Sequence, residues 1–267
     1  MTDTADWLAT DRLITGADVS DTSDWTFTDR AVPSSDVTDA VDFTESETGA
    51  AGAATTLGPP GAWVSSSLAA TTGAGSTTLA VGQPISVGPG DLLVCFFHTY
   101  TGASTPTQTP DANFTLVPGL TATSAVARMS IYTHTVTISD PASYTFTCSP
   151  AAANLLAVIA WTGLATGTDG GAVTVTTTNP GTWTSLSFTA GHAADIVLLG
   201  AFGLAQGNLG PGPLPSSFLG EWVAPAVGAH LGVFSVVSGA STTVPAYTGQ
   251  FYDTGGSQMS VGAVALH

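Results

Sequence analysis

The chain has 267 residues and a formal net charge of −16, and only 8 % of its residues are charged, against ~25 % in ordinary soluble domains. Lysine is absent, and the basic residues are Arg12, Arg30 and Arg128. A surface of this sign repels phosphate, which argues against nucleic acid and anionic membranes as partners, while the 43 % hydrophobic content is enough for a sizeable core.

The N-terminus, MTDTADWLATD, has no basic region and no apolar core, so no secretory signal is expected. Twelve of the 19 acidic residues fall between Asp3 and Glu47. The same stretch repeats with an offset of 18 residues: TDRLITGADVSDTSDW (Thr10–Trp25) aligns with TDRAVPSSDVTDAVDF (Thr28–Phe43). Asp11, Arg12, Asp18, Val19, Asp21, Asp24 and Trp25 fall on Asp29, Arg30, Asp36, Val37, Asp39, Asp42 and Phe43. One step back brings Asp3, Asp6 and Trp7 into register, and one step forward brings in Glu47. Each unit holds one aromatic and about two aliphatic residues, too few for a core of its own, so such units gain stability by stacking on copies or on a partner. Residues 1–48 are therefore expected to be an anchor or stalk, with a solvated acidic tail as the alternative. The spacing Asp18, Asp21, Asp24 lacks the glycine and terminal Glu of an EF-hand loop, so calcium is not expected there. Residues 49–60, GAAGAATTLGPP, read as a linker.

Residues 61–267 read as strands. Gly, Pro, Thr and Ser punctuate short apolar or alternating runs. The expected strands are Gly90–Tyr100, Ala127–Val136, Ser143–Ser149, Asn154–Leu164, Thr182–Ala190, Asp195–Leu204, His230–Val237 and Gln258–Leu266. In SYTFTCS the alternation puts Tyr144, Phe146 and Cys148 on one face. No apolar run reaches the ~18 residues of a membrane helix. The order of strand types at Asp91–Leu164 echoes that at Asp195–Leu266. Two small domains or one sandwich would both fit. The preferred expectation is a single all-β jelly-roll β-sandwich over residues 61–267, with about eight to ten strands. Cys95 and Cys148 sit in apolar strand patterns and read as buried free thiols, with a disulfide between facing strands as the alternative.

The segments GDLLVCFFHTY, NFTLVPG, IYTHTVTISDPASYTFTCS and NLLAVIAWTGL together resemble a domain of tailed-phage virion proteins. The matching elements are Gly90–Leu93, Asn113–Leu116, Asp140–Thr147 and Leu155–Gly163, and the resemblance extends from Trp63 to His267. Asn113-Phe114 departs from the Gly-Trp usual in that domain. The acidic TDR…DVTD repeat is similar to repetitive segments of minor tail proteins from phages of actinobacteria. The resemblance implies a virion structural protein, a minor tail or fibre protein held to other virion proteins of tail or capsid through residues 1–48. It also implies an exposed jelly roll for host attachment, with host cell-wall glycan as a further partner, and a homotrimeric assembly. A capsid decoration or head-fibre protein and a carbohydrate-binding adhesin are the alternatives.

Nothing in the sequence marks catalysis, a cofactor or a metal. His98, His134, His192, His230 and His267 form no HxH or HxxxH pair, and neither a P-loop nor a G-x-S-x-G elbow occurs. Asp91, Asp111, Asp140, Asp169, Asp195, Glu221 and Asp253 are the carboxylates outside the repeat, and most lie beside turn residues. Glu221-Trp222 is the one acid next to an exposed-looking aromatic, which could suit a sugar site, and it reads as a loop pair. Trp161 and Trp183 are expected in the core.

Overall fold

Along the run Leu93-Val94-Cys95-Phe96-Phe97, successive side chains point to opposite faces, yet all five are fully buried. A strand buried on both faces must lie in a middle layer. Leu93, Cys95 and Phe97 belong to one apolar core and Val94 and Phe96 to another. The computed structural model describes residues 61–70, 76–164, 167–176, 182–204, 209–210, 217–224, 229–238, 241–251 and 258–267. The chain divides into Met1–Ala53 and Ala54–His267. The acidic repeat and the linker lie outside the described residues.

The described residues are all-β, with no helix among them. The first half holds β1 (Ala62–Ala70), β2 (Ser76–Gly82), β3 (Leu92–Tyr100), β4 (Thr107–Thr109), β5 (Thr115–Thr123), β6 (Ala127–Thr135) and β7 (Ser143–Thr162). Its main sheet has the order β1-β7-β3-β6-β5. Residues 153–162 of β7 pair with β3 and β1, whereas residues 143–152 pair with β2 and β4. One strand thus serves two layers. Between them lie Leu93, Phe97, Tyr132 and Val158 from the main sheet and Leu79, Val81, Tyr144 and Phe146 from the smaller one.

The second half repeats this plan with β8 (Thr168–Thr176), β9 (Thr182–Thr184), β10 (Phe188–Thr189), β11 (Ile196–Leu204), β12 (Leu209–Gly210), β13 (Ser217–Ala224), β14 (Ala229–Val237), β15 (Thr243–Val244), β16 (Thr248–Phe251) and β17 (Gln258–Leu266). Its main sheet runs β8-β17-β11-β14-β13, the smaller sheet β9-β16-β12, and β10 pairs with β15. The registers agree residue for residue. Leu92 faces Thr135 on one side and Trp161 on the other. Its counterpart Ile196 faces Val237 and Leu266. The pairing slips at the same place in both edge strands, opposite Trp161 in β1 and beside Leu266 in the β17–β8 pair.

The two main sheets pack face to face. Phe96 lies over Gly200, where an added Cβ would meet its ring at 2.7 Å. His98 stacks on Phe202, centroids 5.5 Å apart. Each of these contacts joins equivalent positions of β3 and β11. β5 lies against β8, and β1 against β13. This is the geometry of an isologous pair related by an approximate two-fold axis parallel to the central strands. Such an axis preserves strand direction, so the equivalent ends of both halves face the same way. Val94, Phe96, Met129, Ile131 and Ile159 meet Leu198, Phe202, Val233 and Val264 in the shared inner core.

The structure therefore holds two stacked sandwiches with 17 strands among the described residues, where one sandwich of fewer strands was expected. The added strands are β1, β5, β8 and β13 at the edges of the main sheets, and β2, β4, β12, β15 and β16 in the smaller ones. Stretches such as TDGGAVTVT in β8 have no fully buried side chain, so they lack the apolar alternation that marks a strand.

Candidate functional site

Most acids outside the repeat do the work of turn residues. Asp91 accepts from the Gly88 amide at 2.7 Å. Asp111 accepts from the amides of Asn113 and Thr145. Asp140 closes the turn after β6, accepting from the Thr137 amide and the Tyr144 hydroxyl and pairing with His134. Burial works against ionisation of Asp140, but the bonds from Thr137, His134 and Tyr144 outweigh it and hold its pKa below the ordinary value. The same contact, after burial, pushes the Tyr144 phenol up. Glu221 and Trp222 lie on strand β13, paired with Gly232 and Leu231, rather than in a loop. Asp253 lies outside the described residues. Trp161 and Trp183 are buried in cores, and Cys95 and Cys148 are buried free thiols.

One cluster is different. Asp169 follows the first residue of β8, His192 sits in the loop before β11, Asp195 immediately precedes β11, and His267 immediately follows β17. Three separate segments meet here. The β8 and β17 ends are tied by two backbone bonds between Gly167 and His267, at 2.9 and 3.3 Å. The loop turns sharply, with Ala194 at a φ of 61°, a conformation that costs a non-glycine residue about 1–2 kcal/mol.

His192 Nδ1 lies 2.9 Å from Asp169 Oδ2, which also accepts from the His192 amide. His267 Nδ1 lies 2.9 Å from Asp195 Oδ1. The two imidazoles stack with centroids 3.8 Å apart and planes 15° from parallel. Ligating atoms of His192, Asp195 and His267 all fall within 4.8 Å of one another. Asp195 is 2 % exposed, and its Oδ2 is buried with no hydrogen-bond partner among the described residues. Burial first, then the neighbouring Asp169 carboxyl, raises the Asp195 pKa, while His267 pulls it down. Asp169 titrates low: burial opposes this, but Asp195 and His192 both stabilise its charge. The arrangement offers two imidazoles and two carboxylates, a donor set that suits a first-row transition ion.

No sequence spacing marks this cluster, because its residues are separated by whole strands. The first half supplies an internal comparison. By strand register Asp195 corresponds to Asp91, His267 to Thr162 and Asp169 to Val64. Counting three residues back from each aspartate, His192 corresponds to Gly88. Only the aspartate is common to both halves. Comparison of the chain with protein-family models, with curated proteins and with solved structures returns no match.

Proposed function

We propose that this protein is a non-enzymatic structural component of a virion, a minor tail or fibre protein attached through its N-terminal side. The observation that supports this reading is the placement of exposed apolar side chains. Trp63, Ile85, Ile138, Leu186 and Val237 are exposed, Ile138 at 95 % and Ile85 at 76 %. Ile85 lies in the loop between β2 and β3, and Ile138 in the loop between β6 and β7, which are joined by the bond from the Gly90 amide to the Val136 carbonyl. Trp63 and Val237 stand at the matching strand ends, and Leu186 follows β9. All five lie at the end of the stacked sandwiches where the chain enters from the linker. Apolar groups gathered at one end suit contact with a partner, which supports reading this end as an attachment surface.

We read each half as a jelly roll. The order β1-β7-β3-β6 opposed by β2-β7-β4, and its repetition as β8-β17-β11-β14 opposed by β9-β16-β12, supports that reading. The glycan-binding alternative would rest on exposed aromatics such as Trp63.

The test compares the full chain, a form lacking residues 1–53, and the pair Ile85→Ser/Ile138→Ser for incorporation into purified particles. The deletion is expected to fold and to be missing from particles. The double substitution removes about 1.5–3 kcal/mol of burial per side chain and is expected to lower incorporation more than about tenfold. Wild-type incorporation of both variants would overturn the attachment reading.

A further inference from the structure

We propose that His192, Asp195 and His267 form a binding site for one divalent transition-metal ion of the zinc class, held at one end of the second sandwich, with Asp169 orienting His192. Both imidazole–carboxylate pairs are spaced at 2.9 Å. A tetrahedral zinc site with bonds of about 2.0–2.1 Å separates its ligand atoms by about 3.3 Å. An ion taking the place of the proton between His267 and Asp195 therefore needs those partners to part only slightly. The ligating atoms of His192, Asp195 and His267 lie within 4.8 Å of one another, and the His192 side chain is half exposed.

The buried oxygen of Asp195 adds a second, independent observation. Asp195 Oδ2 has no hydrogen-bond donor among the described residues, and its carboxyl shares the site with another carboxyl. A buried carboxylate oxygen without a donor calls for either a proton or a cation beside it. Two imidazoles in the same cluster favour the cation and select its class, since nitrogen donors suit zinc, cobalt or nickel rather than calcium or magnesium. The ligands come from the loop before β11 and the end of β17, with Asp169 at the start of β8 held against His192, so the ion would pin segments that otherwise meet through a few hydrogen bonds. The corresponding Val64, Gly88, Asp91 and Thr162 offer one carboxylate and no imidazole, so the first half lacks such a site.

The experiment titrates the full chain, stripped with EDTA, with cobalt(II) as a visible probe and then with zinc(II) by calorimetry. Expected is one equivalent of cobalt with the intense visible absorption of tetrahedral coordination, displaced by zinc. His192→Ala and His267→Ala should each weaken binding by on the order of a hundredfold, while His134→Ala should leave it unchanged. Circular dichroism checks that the His192→Ala variant is folded, as its half-exposed side chain predicts. Absence of saturable binding would overturn the proposal, and would leave a proton shared between Asp169 and Asp195. Binding equally tight in both histidine variants would also overturn it, and would assign the ion to other acidic residues of the chain.

Discussion

His98 shows what burial does to one ionisable side chain. It is 2 % exposed, bonded through Nδ1 to Ser260 Oγ at 2.9 Å and stacked on Phe202. Burial lowers its pKa from 6.5 to about 4. A group whose folded pKa lies below its unfolded value favours the native state above the unfolded pKa. That contribution disappears as pH falls through the folded pKa. Between pH 6.5 and 4 the loss amounts to about 3 kcal/mol. Urea unfolding at pH 7 and pH 4.5 should show most of it in the native chain. His98→Gln, which keeps a partner for Ser260 and does not titrate, should show a flatter profile. Equal losses in both proteins would assign the acid sensitivity elsewhere.

At the level of strands, the two halves solve one packing problem with opposite partners. In the first, Val81 faces Tyr144 across the β2–β7 pair. In the second, Trp183 faces Gly249 across the β9–β16 pair, and any Cβ on Gly249 would strike the indole. The bulk has moved from one strand to its neighbour. Trp183→Val alone should open a cavity and cost about 2–4 kcal/mol, and Gly249→Tyr alone should overpack the same core. Together they rebuild the Val–Tyr pairing of the first half, so the double variant should recover at least half of the loss in chemical denaturation. A double variant as unstable as the sum of the singles would show that the two positions are not interchangeable.

The same element-level view explains what could be read from the residues. Strands with alternating or continuous apolar runs, such as Gln258–Leu266, stand where the pattern puts them, because burial is what both the pattern and the fold express. Ser143–Ser149 and Asn154–Leu164 read as two strands and are parts of one, since Pro150 and the alanines between them hide the continuity. Thr182–Ala190 reads as one strand and is two, interrupted at 185–187. The echo between halves is legible, but its meaning is not, because the weakly apolar edge strands that complete each sandwich leave little trace. The His192–His267 cluster has no signature at all. Its ligands are brought together by strand register, which no local spacing encodes.

For the molecule as a whole, the inner core decides how the halves depend on each other. Phe96, Met129 and Ile131 of one half and Leu198, Phe202 and Val264 of the other are buried in a single cluster. Among the described residues neither main sheet has another cover for that face, so residues 61–267 should melt in one cooperative transition, with calorimetric and van't Hoff enthalpies in agreement. Two resolved transitions would mean that each sandwich is stable alone.

The approximate two-fold axis has a further consequence. A homodimer of one sandwich must display every side chain twice, so any new site arises in pairs and any packing change is felt on both sides of the axis at once. Two halves in one chain are free of that constraint. Phe96 can grow where Gly200 shrinks, and the indole of Trp183 can occupy room that Gly249 vacates. An imidazole–carboxylate cluster can appear at the end of one copy while its twin keeps only the aspartate. Covalent linkage of the halves relaxes symmetry from a rule into an approximation.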